Sequence, residues 1–254
     1  MIGEFNRKNT NSLKGVILAG GLGKRLEPLT RVTNKHLLPV WNKPMIYYPL
    51  QTLVDAGIKD IMVVTGGNNA GDFLRLLGNG QEFGLKHLHY AYQKGEKGIA
   101  DALSYAEDFC KDSKVVVILG DNIIERSIKS YVNNFLRQKR GARILIKKVK
   151  NPQRFGVVQL KNKRIISIEE KPKKPKSNYI VTGIYMYDNE VFDIIKTLKP
   201  SWRNELEITD VNNAYLKRGL LYYDILDGYW TDCGTFESLL KANNLVANNY
   251  YKKI

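Results

Sequence analysis

The strongest constraint on the fold is a short apolar run that ends in a glycine cluster. Residues 16–19 predict a buried strand, and the sequence Gly20-Gly21-Leu22-Gly23 follows at once. Residues without a Cβ let successive backbone N–H groups point into one concavity. The cations Lys24, Arg25 and Lys35 stand just behind this turn, and cations so placed neutralise phosphate oxygens. The segment therefore predicts a site for a polyphosphate at the end of a strand.

Two familiar phosphate-binding motifs do not fit this loop. A Walker A motif requires Gly, four residues and then Gly-Lys-Ser/Thr, but Arg25 follows Lys24, and Leu18 stands where the first glycine belongs. The dinucleotide-binding fingerprint requires Gly-x-Gly-x-x-Gly, and Leu26 occupies its third glycine position. A plain strand–helix turn is the alternative to a phosphate site. The presence of Arg25 and Lys35 favours the phosphate site.

Length, cysteine content and hydropathy limit the class of protein. A chain of 254 residues can bury the core of one large α/β domain. The two cysteines exclude a disulfide framework or a cysteine zinc site and suit a reducing cytoplasm. No apolar stretch is long enough to cross a bilayer, and the polar residues 1–12 lack the apolar core of a secretory signal. We expect a cytoplasmic protein without a membrane partner, in which residues 1–12 are a flexible arm or a non-native remnant.

The formal charge of +15 raises the possibility of nucleic-acid binding. The lysines and arginines are spread along the chain, however, and no helix-turn-helix, zinc-finger or RNA-recognition signature is present. We expect anionic small substrates, and no nucleic-acid partner, on a generally lysine-rich background.

Apolar periodicity predicts alternating strands and helices up to Asp121. Helices are predicted at residues 44–56, 70–77 and 98–109, and strands at 60–65, 88–92 and 114–119. Strands separated by helices of this length indicate a parallel sheet covered on both faces. Beyond Asp121, short alternating segments predict antiparallel or mixed strands at 142–149, 154–160, 164–169 and 179–187, then a helix at 207–218 and a strand at 220–225.

Two acidic residues are candidates for a metal site. Asp121 follows a buried strand in LGDN, and the carboxyl edge of a parallel strand is where such sheets bind ligands. Asp232 stands in WTDCGT. Two carboxylates can hold one Mg²⁺ that bridges phosphate oxygens. A turn or capping role is the alternative for each, and the sequence alone does not show that the two residues meet.

Other loops carry groups that suit a nucleotide or a sugar phosphate. The amide of Gln93 can read a base edge, since it offers both a donor and an acceptor. Glu170 and Lys171 can meet a sugar hydroxyl and a phosphate at a strand end. Gly156 allows a ligand to approach the backbone closely, and Arg203 is a candidate phosphate clamp. Ordinary surface loops and surface ion pairs are the alternatives for these residues.

Taken together, the motifs resemble those of the bacterial and archaeal glucose-1-phosphate thymidylyltransferases, a branch of the sugar nucleotidyltransferases, over about residues 14–246. The resemblance rests on LAGGLGKRLEPLT, NKHLLPV, KPMIYYPL, LGDN, RFGVV, EEKP, NYIVTGIYMYD, ELEITDVN and WTDCGT. It implies a Rossmann-like, three-layer α/β/α fold with a central mixed, mainly parallel sheet. It also implies the shorter form of the family, without the carboxyl extension of some relatives and so without allosteric control through that extension.

The resemblance implies a reaction in which dTTP and α-D-glucose 1-phosphate give dTDP-glucose and pyrophosphate with the help of Mg²⁺. The catalytic residues that it implies are Arg25, Lys35, Asp121 and Asp232, with the two aspartates as metal ligands. The nucleotide-binding residues that it implies are Gly20, Gly21, Gly23, Arg25, Gln93 and Gly98. The sugar-phosphate-binding residues that it implies are Asn122, Gly156, Glu170, Lys171, Val181 and Arg203.

The resemblance further implies one domain over residues 13–250, with a nucleotide-binding part at about 13–122 and a sugar-phosphate-binding part at about 123–235. It implies a homotetramer, with a dimer as the alternative, and a place in dTDP-rhamnose or polysaccharide synthesis. A uridylyltransferase or an enzyme for another hexose 1-phosphate is the closest alternative, because the methyl group of thymine is worth only ~1–3 kcal/mol to a pocket. A non-catalytic nucleotide-sugar binding protein is the alternative from another class.

Two positions depart from the family pattern. The usual Asp-Thr/Ala-Gly-Thr-His ending is here Asp232-Cys233-Gly234-Thr235-Phe236, and the usual Arg-Gly-Glu is here Arg203-Asn204-Glu205. The first departure predicts altered hydrogen bonds around the metal aspartate, and the second predicts a stiffer loop.

Overall fold

The computed structural model describes residues 12–67 and 69–251, so residues 1–11 of the predicted amino-terminal arm lie outside the described residues. The strands are β1 (Leu13–Ala19), β2 (Pro39–Val40), β3 (Lys43–Pro44), β4 (Asp60–Gly66), β5 (His87–Gln93), β6 (Lys114–Leu119), β7 (Asn122–Ile124), β8 (Ala142–Lys148), β9 (Gly156–Lys161), β10 (Arg164–Glu170), β11 (Tyr179–Tyr187), β12 (Leu221–Ile225) and β13 (Trp230–Asp232). The α-helices are α1 (Tyr47–Asp55), α2 (Ala70–Leu77), α3 (Ile99–Ser104), α4 (Glu107–Cys110), α5 (Lys129–Arg137), α6 (Glu190–Thr197), α7 (Ile208–Lys217) and α8 (Phe236–Tyr251).

A nine-stranded sheet forms the centre of the described part of the chain. Its order is β10-β9-β11-β6-β1-β4-β5, while β8 pairs with β11 and carries β12 at its other side. Strands β6, β1, β4 and β5 are parallel neighbours. Within the described residues, only β10 and β11 run against the remaining strands of this sheet. The prediction of a mixed, mainly parallel sheet is confirmed.

The sheet is buried on both faces, which explains the continuous apolar runs in its central strands. Val16 and Leu18 of β1 lie in one core cluster, whereas Ile17 and Ala19 lie in another. Side chains of successive strand residues point to opposite faces. Helices α3, α6 and α7 supply apolar residues to the first cluster, and α1, α2 and α5 supply them to the second. The predicted three-layer α/β/α architecture is therefore confirmed.

The predicted helix at 98–109 is wrong as a single element. The chain forms α3 and α4 instead, and the N–H of Ala106 between them donates to the carbonyl of Leu103 in a tighter turn. Ala106 and Cys110 are both fully buried, so core packing fixes this stretch. The sequence carries no glycine or proline there that would have predicted the break.

The predicted helix at 44–56 begins later, at Tyr47. The N–H groups of Met45 and Ile46 donate to the carbonyls of Leu38 and His36, so these residues extend a loop rather than a helix. Pro44 belongs to β3, which pairs with β2. The predicted strand at 114–119 and the predicted helices at 70–77 and 207–218 agree with β6, α2 and α7 to within one residue. Helices α5 and α6 had no predicted counterpart.

Among the described residues, no helix has both the length and the apolar character that crossing a bilayer requires.

Two leucines of α2 test the assignment of its buried face. Leu77 is 3% exposed and belongs to the core beside β4, whereas Leu74 of the same helix is 50% exposed. We expect Leu77→Ala to lower the free energy of unfolding by about 2–5 kcal/mol, because it removes buried methyl groups and leaves a cavity. The matched change Leu74→Ala should cost less than about 1 kcal/mol. Urea midpoints at unchanged m-values provide the measurement, and equal losses in the two variants would contradict this packing.

Candidate active site

The carboxyl ends of the parallel strands open into a cleft of about 740 Å³. Gly20 and Gly21 follow β1, Gln93 ends β5, and Asp121 lies just after β6, and all four line the cleft. Parallel strands present their carboxyl ends at one edge, so residues far apart in the chain meet there. The cleft is therefore the candidate active site.

All but one of the predicted site residues line this cleft in the described structure. Those that line it are Gly20, Gly21, Arg25, Lys35, Gln93, Gly98, Asp121, Asn122, Gly156, Glu170, Lys171, Val181, Arg203 and Asp232. Gly23 does not line it. It adopts a φ of +71°, and a Cβ there would lie 2.9 Å from both Lys35 Cβ and Thr30 Cγ2. Glycine at this position permits the left-handed turn and the close packing of Lys35, and contact between Gly23 and a ligand stays a prediction.

The two predicted metal aspartates lie side by side. Strand β13 pairs antiparallel with β7, and this register sets Asp232 opposite Asn122, the residue that follows Asp121. Burial raises the pKa of Asp232, and the negative charge of Asp121 raises it further. A short pairing between two strands far apart in the sequence therefore brings two like charges close together at one end of the cleft.

Asp121 forms a buried ion pair with Lys35, whose Nζ lies 2.6 Å from the Asp121 carboxylate. Burial alone would raise the pKa of Asp121, but the charges of Lys35 and His36, together with hydrogen bonds from Lys35 and Asn122, lower it to about 2. Asp121 is therefore ionised at neutral pH. Lys35 begins a 3-10 turn (Lys35–Leu37), and the side chain of Asn34 caps this turn by accepting a hydrogen bond from the N–H of His36.

Arg154 is a cleft residue to which the sequence analysis gave no role. Its guanidinium lies 3.3 Å from the Asp232 carboxylate, and it is the first among the cations that lower the pKa of Asp232. Arg154 precedes Gly156 in the RFGVV motif. A basic residue beside that glycine was the signal available, but the sequence could not show its distance from Asp232.

The carboxylate pair suits a divalent cation that is shared with a ligand. Among the described residues, no group of three or more histidine, cysteine or acidic side chains forms a protein-only metal site. Mg²⁺ is commonly held by one or two carboxylates, with substrate phosphates and waters supplying its other oxygen ligands. Asp121 and Asp232, with Lys35 and Arg154 neutralising them, fit that pattern.

Asn122 is buried in the wall of the cleft, where it forms hydrogen bonds to neighbouring strands. Its Oδ1 accepts hydrogen bonds from the Trp230 indole (2.6 Å) and from the N–H of Gly183 (3.1 Å), and its Nδ2 donates to Asp121 (3.1 Å). The residue is 2% exposed. These bonds tie β7, β13 and β11 together behind Asp121, so Asn122 holds the aspartate in place. Direct contact between Asn122 and a sugar phosphate stays a prediction.

The glycine loop already binds a carboxylate of its own chain. The N–H of Leu22 donates to Glu96 Oε1 at 3.0 Å, and Lys24 Nζ lies 3.1 Å from Glu96 Oε2. The loop and its cations therefore present donors to anionic oxygens, as the sequence predicts for a polyphosphate site.

Polar groups from β10 and α7 also line the cleft. The hydroxyl of Thr209 donates to Glu170 Oε2 at 2.5 Å, and Lys171 Nζ lies 3.7 Å from Glu170 Oε1. Gly156 and Val181 line it as well. The carboxylate of Glu170 keeps one oxygen on the side of Lys171, where it can accept a hydrogen bond from a ligand hydroxyl.

Arg203 is surrounded by acidic groups. Its guanidinium binds Glu205 and lies 3.0 Å from Glu207. A phosphate at Arg203 must therefore share the guanidinium with two carboxylates. Asn204 adopts a φ of +58°, a left-handed conformation that asparagine tolerates better than most residues. The loop thus keeps a backbone geometry that suits the glycine of the family pattern.

The histidine and cysteine nearest to the aspartates are not positioned for proton transfer or nucleophilic attack. Burial and then the charge of Lys35 lower the pKa of His36 to about 3, so the imidazole is neutral at pH 7. Burial raises the pKa of the Cys233 thiol, and a protonated thiol is a poor nucleophile.

We expect Arg154→Gln to raise the pKa of Asp232 further, because the variant removes a positive charge that stabilises the ionised carboxylate. Carbon-13 NMR titration of the aspartate carboxyls in the metal-free protein provides the measurement. Arg75→Gln is the control, since Arg75 pairs with Asp72 on the surface of α2, and it should leave Asp232 unchanged. An unshifted Asp232 midpoint in Arg154→Gln would contradict the observed ion pair.

Comparison with known proteins places this fold and cleft in one family. The sequence model of the nucleotidyl transferase family matches residues 14–249. A glucose-1-phosphate thymidylyltransferase of Neisseria meningitidis is 48% identical over 238 residues, which make up 92% of this chain and 82% of that protein. The protein of the same name from Mycolicibacterium smegmatis is 46% identical, with the same coverage.

Solved structures give the same result. A Bacillus anthracis protein, provisionally named a glucose-1-phosphate thymidylyltransferase and crystallised with sucrose, is 55% identical and superposes with a TM-score of 0.88 over 92% of this chain and 94% of that one. A UDP-glucose pyrophosphorylase in complex with UDP-glucose is 26% identical, with a TM-score of 0.80 over 95% of this chain and 99% of that one. The chain therefore belongs to the nucleotidyl transferase family of enzymes and, within it, to the glucose-1-phosphate thymidylyltransferases.

Proposed function

We propose that this chain transfers the thymidylyl group of dTTP to α-D-glucose 1-phosphate and releases pyrophosphate. The observation that carries the proposal is the paired carboxylates Asp121 and Asp232, each beside a cation, at one end of a cleft whose glycine loop binds anionic oxygens. Relatives at 46–48% identity carry the name of this activity.

The nucleotide would lie against the loop after β1. Backbone N–H groups of Gly20, Gly21 and Leu22 would face the triphosphate, where Glu96 now accepts a hydrogen bond from Leu22. Arg25 would neutralise phosphate oxygens beside them. Gln93 and Gly98 would contact the base, since both line the cleft and Gln93 Nε2 donates to the carbonyl of Gly98.

Asp121 and Asp232 would hold Mg²⁺, which supplies positive charge to the reacting phosphates and helps to position them. When the substrates bind, Lys35 and Arg154 would be able to exchange these carboxylates for phosphate oxygens. Lys35 Nζ, now 2.6 Å from Asp121, would then meet the oxygens of the α-phosphate, where charge develops during transfer.

The sugar phosphate would enter from the side of β9, β10 and β11. Glu170 would accept a hydrogen bond from a sugar hydroxyl, Gly156 and Val181 would shape the pocket, and Lys171 and Arg203 would bind the phosphate. An oxygen of that phosphate would attack the α-phosphorus in line, so that one P–O bond forms as the bond to pyrophosphate breaks. Both nucleophile and leaving group belong to the substrates, so the protein contributes position and charge.

The proposal extends to the domain organisation, the oligomeric state and the location of the chain. We assign about 13–122 to the nucleotide and about 123–235 to the sugar phosphate within one domain, because residues of both parts line the cleft. A homotetramer in the cytoplasm accords with the family resemblance, and the two buried cysteines accord with a reducing compartment.

A uridylyltransferase is the second candidate. The superposition with a UDP-glucose pyrophosphorylase over nearly the whole of both chains favours it. Uracil differs from thymine by one methyl group, which limits discrimination to about 10–200-fold in a hydrophobic pocket.

A panel of nucleoside triphosphates and hexose 1-phosphates separates these candidates. Purified protein with Mg²⁺ should release pyrophosphate, with the highest kcat/KM for dTTP and glucose 1-phosphate. A higher value for UTP would establish the second candidate, and no pyrophosphate release from any pair would refute both.

We expect Asp121→Asn to lower kcat by about 10²–10³-fold, because a carboxylate that would hold the metal becomes a neutral amide. Pyrophosphate release provides the measurement, and thermal unfolding shows whether the fold is retained. Asp72→Asn on the surface of α2 is the control and should keep the wild-type rate. A folded Asp121→Asn protein with the wild-type kcat would remove Asp121 from the mechanism.

A further inference from the structure

The side chain of Gln93 is held in one orientation at the base of the cleft. It is 4% exposed. Its Nε2 donates to Asp101 Oδ2 at 2.8 Å and to the carbonyl of Gly98 at 3.1 Å. Both partners are acceptors, and Nε2 has two hydrogens to donate. The amide nitrogen therefore uses its full donor capacity within the protein.

The carbonyl oxygen of Gln93 points the other way. Oε1 lies 2.5 Å from the position that a Cβ on Gly20 would take, so it faces the backbone at the start of the glycine loop. A Cβ at Gly20 would displace this oxygen from its present position. Gln93 therefore presents an acceptor, and not a donor, at the wall where the proposed nucleotide lies.

A reversed amide would be costly in this environment. Flipping Gln93 would bring Oε1 against Asp101 and against the carbonyl of Gly98, which gives three acceptors with no hydrogen between them. Burying polar groups without hydrogen-bond partners is unfavourable. Asp101 lies in the first turn of α3, and its carboxylate is the side chain that selects the observed orientation.

We propose that Asp101 sets the base specificity of the site by fixing Gln93 as a hydrogen-bond acceptor. This rests on the proposed function, in which Gln93 contacts the base. Thymine and uracil carry an N–H at ring position 3, which donates to such an acceptor. Cytosine has a bare acceptor nitrogen there and could reach Oε1 only through its 4-amino group, after a shift of the ring in the cleft. Asp101 is thus a positioning residue. By fixing Gln93, it favours pyrimidines that carry an N–H at ring position 3 and disfavours cytosine.

The same contact does not distinguish thymine from uracil, because both bases present the same N–H. Preference between dTTP and UTP must come from the space around the thymine methyl group. The position of Asp101 therefore explains selection for the class of base. Recognition of the methyl group must depend on another part of the cleft.

The test compares dTTP with dCTP, by direct binding in calorimetry and by turnover with glucose 1-phosphate. Wild type should prefer dTTP by about 10² or more in both measurements, as polar sites reject a ligand that leaves their groups unpaired. Asp101→Leu removes one of the two acceptors that hold Gln93 Nε2 and leaves only the Gly98 carbonyl to oppose a flipped amide. The preference should therefore fall at least about tenfold, with dCTP improving in absolute terms.

Asp101→Asn is the conservative variant. Its Oδ1 can still accept from Gln93 Nε2, so it should restore most of the dTTP preference. Asp108→Leu, an exposed acid on the adjacent α4, is the matched control and should behave as wild type. If Asp101→Leu fails to fold, Asp101→Ala and Asp101→Asn carry the same comparison. Equal weakening for both nucleotides, with an unchanged ratio, would show a purely structural role and overturn the inference.

Failure of the proposed function gives a different result. In that case wild type itself binds and turns over no pyrimidine nucleotide. A wild type that prefers dTTP, together with an Asp101→Leu variant that keeps that preference, overturns the role of Asp101 alone.

Discussion

The candidate active site depends on holding two carboxylates together at one end of a cleft. Like charges in a poorly hydrated place repel strongly unless cations lie beside them. Lys35 at Asp121 and Arg154 at Asp232 supply those cations. Lys35 comes from the 3-10 turn that begins after Asn34, and Arg154 comes from the 3-10 turn before β9, so two separate segments supply the charge balance.

The strands that flank Asp121 and carry Asp232 fix the positions of the two carboxylates. Asp121 is placed by β6, a strand buried between β1 and β11, and Asp232 is placed by the short pairing of β13 with β7. Asn122 joins these elements through hydrogen bonds to Trp230, to Gly183 and to Asp121. A rigid frame of this kind can hold catalytic groups in position at no cost during a reaction. In the proposed mechanism, Lys35 and Arg154 would exchange their carboxylate partners for phosphates.

Local patterns in the sequence were sufficient for much of the fold. The apolar run at 114–119 and the amphipathic segment at 70–77 each specify one element, because their spacing already fixes which side chains are buried. The break between α3 and α4 and the late start of α1 depend on core packing and on backbone hydrogen bonds to distant residues, which no local pattern contains. The family resemblance gave the set of site residues, but the proximity of Asp232 to Asp121, the ion pair of Arg154 and the hold of Asp101 on Gln93 arise only from the folded chain.

The central claim is that Asp121 and Asp232 hold one divalent cation together with the nucleotide. Electron paramagnetic resonance of Mn²⁺, titrated into the protein with and without dTTP, tests it most directly. We expect one Mn²⁺ per chain, bound tightly only when dTTP is present, and loss of that binding in both Asp121→Asn and Asp232→Asn. Wild-type Mn²⁺ affinity in either folded variant would contradict it.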